Sequence, residues 1–547
     1  MERAVPLHLL CVLCFGAGVL ALASGCDTDI TGTALENQAP ETQLSVRDSS
    51  LVDNLAGADR LTSTVLIAWT GTDADGFVRA FDIRFYTAES PPAGPEDGWS
   101  TTTRNDSLVL LPIPRGGRIA DVVFEVRAVD NEDAKDPTPA RTVFPIQNAP
   151  PTLRFSQFEL PPDTTFSVIS FSWTADDPEG PSNLDRIEIS LNDSTRFTVL
   201  PPDVDFITLL GDVDRNNPTQ REVGARIFYG RAFQNSGETL PGLLLDADNT
   251  FYVRAVDQTD TTSTLQRYSW YVKRPQGEVL YVNDYRKSTS QTIQRLHLDL
   301  LSEYLPDDVS IDIWDISQPF GTGAAGNTPR SNALPSSPAP TLQQQLALYD
   351  YIYWVSTNAT NNISSNNLPF AAGVMDLFFE QGGKMLVHTP ISLPTNPEDN
   401  LGNPAVLVLP LSDLITFPDT LRPQLRLPVG TAVNPSGTLP GTSAPLPLLE
   451  IAQFRIDTLP FIATGSNIIP LYQTDYLYVS LDGRSTGTWT GPSTVASISA
   501  DQRVGLFALP LFNEQTGAPI VIGADGDPNA AAQAIHLMLE SLGFPKR

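Results

Sequence analysis

One thiol and three imidazoles bound the chemistry open to this chain. Beyond the apolar stretch from Val5 to Leu22 it keeps one cysteine, Cys26, and three histidines, His297, His388 and His536. A lone cysteine permits no disulfide and no cysteine metal site. His297 and His536 fall in segments with helical period and read as helix-face or boundary residues. His388 ends the apolar run Met385-Leu386-Val387, at the strand edge where open α/β sheets bind ligands. The same edge should carry Asp284 and Arg286 after Val279 to Val282, Asp315 after Val309 to Ile313, Asn358 after Tyr351 to Val355, and Thr389 beside His388. These six could converge on a small polar ligand or a sugar. The preferred alternative is that they cap strand ends in solvent. No Gly-x-Ser-x-Gly, His-Glu-x-x-His or phosphate-binding glycine loop is present, and no cofactor is implied.

A second group of polar residues raises the question of calcium. Asp73, Asp75, Asp130 and Asp133 recur later as Asp176, Asp177, Glu179 and Asp257, and clustered carboxylates at loop ends suit a hard cation. Asp-x-Asp-Gly and Asp-Pro-Glu-Gly are also ordinary turn sequences. The turn reading is preferred, and no metal is assigned.

The chain opens Met1-Glu2-Arg3, continues apolar to Leu22, and reaches Cys26 through Ala23-Ser24-Gly25. A brief basic start, a short apolar core and small residues before a break have the form of a secretory signal. Small residues ending in cysteine resemble the lipobox of bacterial lipoproteins, although Ala23 stands where that pattern prefers Leu. The resemblance implies that Cys26 is acylated and becomes the mature amino terminus, anchoring the protein to a membrane of the envelope.

With 547 residues the chain should hold several domains. Its net charge of -29 excludes nucleic acid as a partner, because phosphate binding requires clustered Lys and Arg. Lysine is scarce relative to arginine. That pattern fits a protein working in high salt and equally a GC-rich genome.

The elements that must position these residues follow from a repeat. Ile67-Ala68-Trp69-Thr70-Gly71-Thr72-Asp73-Ala74-Asp75-Gly76 matches Phe171-Ser172-Trp173-Thr174-Ala175-Asp176-Asp177-Pro178-Glu179-Gly180, and Phe124 to Asp130 matches Phe251 to Asp257. The second copy carries extra residues around Asp203 to Asp246. Both alternate apolar and polar residues between Pro, Gly and Asp turns, which predicts antiparallel β-sandwiches with Trp69 and Trp173 as equivalent core residues. The early Trp, the late aromatic-x-Val-Arg-Ala strand and the Pro-rich lead-in resemble fibronectin type III and related immunoglobulin-like modules.

From Gly277 strands alternate with helices, predicting an α/β domain with a mostly parallel sheet. Helices are expected over Thr292 to Tyr304, with Ile293, Leu296, Leu300, Leu301 and Tyr304 on one face, over Thr341 to Tyr349, over Ala371 to Glu380, and from Pro528, capped by Asp527, to about Leu542. Between about 393 and 500 the alternation lapses, and a β-rich or irregular insertion is expected. Gly382-Gly383 leading to Val387-His388-Thr389-Pro390-Ile391, and Gly505 to Leu511, resemble two stretches of the class I glutamine amidotransferase-like superfamily. The resemblance places Thr389 at the nucleophile, Leu509 at the general base and Leu511 at its orienting acid, which implies that the catalytic groups are lost.

The expected organisation is a signal peptide at 1–25, a linker at 26–38, sandwiches at 39–147 and 148–275, and the amidotransferase-like domain at 276–547. The expected function is that of a noncatalytic, lipid-anchored envelope protein meeting another envelope protein or a glycan. The alternative is an envelope hydrolase acting on carbohydrate or peptide through the strand-end edge.

Overall fold

The computed structural model describes residues 36–46, 64–111, 117–157, 159, 161–317, 334–335, 340–357, 367–391, 404–417, 419–442 and 444–547. Cys26 and Asn358 lie outside them, as does the apolar stretch 5–22. The chain divides into two compact units, Met1–Asn148 and Ala149–Arg547.

The first unit is an antiparallel sandwich. Glu41–Val46, Thr64–Thr72 and Asp106–Leu110 form one sheet, and Ser100–Thr102, Val78–Thr87, Ile119–Asp130 and Ala140–Gln147 form the other. Ile67, Trp69, Phe81, Phe124, Val126 and Phe144 fill the space between them. Trp69 is 1% exposed, and its Nε1 donates to the Arg104 carbonyl at 2.9 Å. That bond satisfies the one polar group a buried indole carries.

The second unit begins with the matching sandwich. Trp173 is buried and its Nε1 donates to the Val204 carbonyl at 2.9 Å, the same device in the same place. Phe171 and Phe251 stack beside it at 4.0 Å. The extra residues extend one sheet by a hairpin, Glu222–Tyr229 with Gln234–Leu244, giving five strands where the first module has three.

This sandwich packs directly on the C-terminal part. Phe166 sets its ring edge-on to Tyr349 at 5.4 Å, and the Thr341 hydroxyl donates to Ser170 Oγ at 2.7 Å. The amides of Gln276 and Gly277 both donate to Asp312 Oδ2, at 2.7 and 3.1 Å. Gly277 has to be glycine at this crossing, since a Cβ there would lie 1.8 Å from the Ser310 carbonyl oxygen.

In the C-terminal part β1 (Val279–Asp284), β2 (Ile311–Asp315), β3 (Tyr351–Ser356), β4 (Lys384–His388) and β5 (Val504–Phe507) run parallel in the order 2-1-3-4-5. Every residue of β1 is buried, as a central strand covered on both faces requires. The connecting helices are α1 (Ser290–Tyr304), α2 (Pro340–Leu346), α3 (Leu368–Ala372) and α4 (Asp376–Glu380), with α5 (Ala530–Leu542) at the end.

Several sequence expectations are corrected here. The sheet is mixed rather than mostly parallel: beyond β5 it continues antiparallel through Thr494–Ser499, Ile468–Thr474, Ala432–Pro435, Leu449–Ile451 and Val521–Gly523. The segment expected as an insertion therefore supplies half of the same sheet, and a separate three-stranded sheet besides. The helix expected over Ala371 to Glu380 is two short ones, broken at Gly373. α5 starts at Ala530 rather than Pro528, while Gly543 ends it at φ 79°, the left-handed turn that glycine allows. On α1 His297, not Leu296, is buried toward the sheet.

Candidate functional site

Register decides which strand-end residues can meet. Asn283 pairs with Asp315 on one side and with Val355 on the other, and Val355 pairs with His388. Asp284 pairs with Ser356, whose hydroxyl meets Thr389 Oγ1 at 2.7 Å. Neighbouring residues of a strand point to opposite faces. The candidates thus fall into two rows, Asp315 and His388 on the α1 face and Asp284 and Thr389 on the face carrying α3.

On the α3 face Asp284 is fully buried at the point where strand order reverses between β1 and β3. Its Oδ1 accepts from Asn367 Nδ2 at 2.7 Å, and its Oδ2 from the Asn367 amide at 2.5 Å and Trp354 Nε1 at 3.3 Å. Burial pushes its carboxyl up to about 7, against the pull of those donors and of the Arg286 charge. Burial likewise lowers the Arg286 guanidinium, whose backbone amide is held by Thr357 Oγ1 at 2.7 Å. Ser356, Thr357 and Asn367 were not found from the sequence. Only Thr357 was within reach of inspection, since it directly precedes Asn358.

On the α1 face Asn283 and Asp315 are engaged by neighbouring side chains, while His388 is bonded through Nε2 and its buried Nδ1 meets no hydrogen-bond partner. Asn283 Nδ2 donates to Ser290 Oγ and Gln294 Oε1 at 2.9 and 2.8 Å. Asp315 Oδ1 accepts from the Ser317 amide and hydroxyl at 3.0 and 2.6 Å, and its Oδ2 from Gln291 at 3.2 Å. His388 Nε2 donates to the Leu509 carbonyl at 2.7 Å, which places its proton on that nitrogen. Its ring lies 4.7 Å from that of His297, whose Nδ1 bonds the Tyr353 hydroxyl at 2.9 Å. Burial lowers His388 to about 4 and holds His297 well below the usual imidazole range. Both rings are neutral at physiological pH.

Thr389, Leu509 and Leu511 are all buried. Cavities of about 170 and 400 Å³ open in this part of the chain, one beside Leu296, Leu511 and Pro528, the other beside Tyr304, His536 and Arg547. Neither is lined by Asp284, Asp315, His388 or Thr389. Among the described residues no group of three or more His, Cys, Asp or Glu side chains forms a metal cluster, and no helix is long and apolar enough to cross a membrane.

No family model matches the chain, and no curated protein matches it. Among solved structures it is similar to fibronectin type III-like modules of CbhA from Clostridium thermocellum, at 12% identity over 42% of this chain and 95% of that one, with a TM-score of 0.16. A two-domain fibronectin type III segment of chicken tenascin is similar at 12% identity over 43% and 99%, with a TM-score of 0.21. The chicken interferon gamma receptor alpha chain is similar at 10% identity over 40% and 97%, with a TM-score of 0.18. The sandwich fold itself rests on the strand pairing described above.

Proposed function

We propose that this chain is a lipid-anchored protein of the bacterial cell envelope, in which two β-sandwich modules present an amidotransferase-like α/β domain for binding or assembly rather than catalysis. One observation carries the reading: each group that would have to react is buried within the fold. The Thr389 hydroxyl is engaged with Ser356 Oγ, and a threonine hydroxyl with no base stays protonated near neutral pH. Leu509 and Leu511 transfer no proton, and the His388 Nε2 proton is tied to a backbone carbonyl.

The strand order 2-1-3-4-5 with interleaved helices supports an α/β class of domain. The reversal point, where such folds receive ligands, is filled by the chain's own Asn367 on Asp284. The rival hydrolase reading requires a convergent acid and base. Asp284 stands on the opposite face from His388, and Asp315 shares the face of His388 only across β1 and β3, which lie between their two strands; this supports the noncatalytic reading. Lipid anchoring rests on the Leu22 to Cys26 pattern, and the partners proposed are the membrane, through that anchor, and an envelope protein or glycan.

The test is turnover of glutamine, ester and peptide substrates by wild type, Thr389→Ala and His388→Ala. None should react. Turnover by wild type that disappears in either variant would overturn the noncatalytic reading.

A further inference from the structure

Both sandwiches carry an aromatic ring against an arginine on the sheet face turned away from the core, and they differ in one residue of that arrangement. In the first module Asp82 pairs with Arg127 and Ile83 with Ser100, the residue after Trp99. In the second Glu188 pairs with Arg254 and Ile189 with Thr198, the residue after Phe197. Trp99 and Phe197 are therefore equivalent, as are Arg127 and Arg254. The guanidinium carbon of Arg127 lies 4.2 Å from the Trp99 ring centre, and that of Arg254 lies 4.3 Å from the Phe197 ring centre. The Trp99 ring takes a second guanidinium, Arg84, at 4.1 Å. Arg84 Nε donates to Glu125 Oε2 at 2.8 Å, and its Nη1 to the carbonyls of Pro95 and Asp97 at 2.9 Å. Arg84 pairs with Glu125, two places before Arg127, and Ser190 with Tyr252, two places before Arg254. Register thus puts Ser190 where the first module has Arg84.

Serine is too short to cover a ring as arginine does, and its hydroxyl here donates to the Asp193 carbonyl. A cavity of about 300 Å³ opens beside it, lined by Ser190, Phe197, Asp193 and Glu222. The opposite wall, Glu222 with Leu240, Pro241 and Gly242, belongs to the hairpin that the first module lacks. Asn192 holds that wall in place, donating from Nδ2 to the Gly242 carbonyl and to Asn249 Oδ1, both at 2.8 Å. Asp193 Oδ1 accepts from the Thr195 amide and hydroxyl at 2.8 and 2.6 Å. Its Oδ2 lies 3.9 Å from Arg196 Nε, beyond hydrogen-bond range. The Arg196 side chain is 91% exposed, and Glu222 is exposed as well. The lining therefore sets two carboxylates against one guanidinium that is turned to solvent.

An aromatic face with carboxylates around it attracts a cation through the ring quadrupole and through charge. A planar guanidinium suits such a place better than an ammonium, because it stacks and donates in the same plane. We propose that this cavity receives an arginine side chain from a partner protein, stacked on Phe197 and paired by Asp193 and Glu222, as Arg84 lies on Trp99 against Glu125. The volume stands at the lower end of ligand clefts, about 300 Å³, which fits one side chain. The net charge of -29 favours encounter with a basic partner. The site belongs to the second sandwich and does not depend on the catalytic state of the α/β domain, so its failure would leave the noncatalytic reading untouched.

The experiment is titration of the full-length protein with Nα-acetyl-arginine methylamide, followed by saturation-transfer NMR of the probe. The citrulline analogue, uncharged and of the same shape, is the control. The arginine probe should bind saturably with a Kd on the order of 10⁻³ M, as one stacked and paired cation allows. The citrulline probe should bind at least about ten-fold more weakly. Ser190→Arg restores the arrangement of the first module and should abolish binding while leaving the melting temperature unchanged or raised. Glu222→Gln, at an exposed strand end, should weaken binding about ten-fold and serves where Ser190→Arg fails to fold. Equal binding of the two probes, binding that neither substitution changes, or absence of saturation up to about 20 mM would overturn the proposal. Displacement of the arginine probe by N-acetylglucosamine would overturn it too, and would assign the cavity to a glycan.

Discussion

Replacing Asp284 by asparagine should change how stability depends on pH more than it changes stability itself. The carboxyl is fully buried, and burial raises it from 3.8 in the free side chain to about 7. For an acid whose folded value lies above its unfolded value, the folded state holds a proton that the unfolded chain has released. Stability then falls as pH rises between the two values and levels off above the higher one. Each unit costs about 1.4 kcal/mol, so moving from pH 5 to pH 7 should cost wild type roughly 2 to 3 kcal/mol through this residue. Asparagine has no proton to gain. It also turns an amide donor toward donors that Asp284 accepts, Asn367 and Trp354, a penalty of about 1 to 3 kcal/mol that is the same at every pH. Urea unfolding of both proteins from pH 5 to pH 8, followed by tryptophan fluorescence, measures the difference. The variant's deficit should be largest at pH 5 and shrink by roughly 2 kcal/mol at pH 7. A deficit constant across that range would show that Asp284 is ionised throughout, and the reasoning from burial would fail.

His388 should act in the opposite sense: its folded value of about 4 lies below the free value of 6.5, so stability is lost as pH falls through that window. His388→Gln should recover roughly 3 kcal/mol of the acid loss, read from urea midpoints at pH 7 and pH 4. Trp69→Ala and Trp173→Ala should each cost about 3 to 5 kcal/mol in their own module, and a variant that melts like wild type would place that indole outside the core. Cys26→Ser should abolish lipid attachment, and intact mass of the membrane-extracted wild type should begin at Cys26 with added lipid. A lipid-free mature protein with another amino terminus would refute the anchor.

The paired effects of Asp284 and His388 also mark where sequence alone falls short. That each ends an apolar run was readable, because strand ends follow from composition and breakers. Which face each occupies was not, because one residue of register exchanges the faces, and register depends on pairing across the sheet. The partner of Asp284 was hidden for the same reason, since Asn367 lies 83 residues away. On α1 the apolar pattern favoured Leu296, but the helix turns His297 inward, where its Nδ1 meets the Tyr353 hydroxyl; a satisfied imidazole can occupy a core position that hydropathy denies it. The sandwiches were legible because their anchors are local and occur twice, Trp69 with its carbonyl partner at Arg104 and Trp173 with its partner at Val204. The second half of the large sheet was not. Leu449–Ile451 takes Val521–Gly523, far along the chain, as its partner, and a three-residue strand has too little periodicity to announce itself.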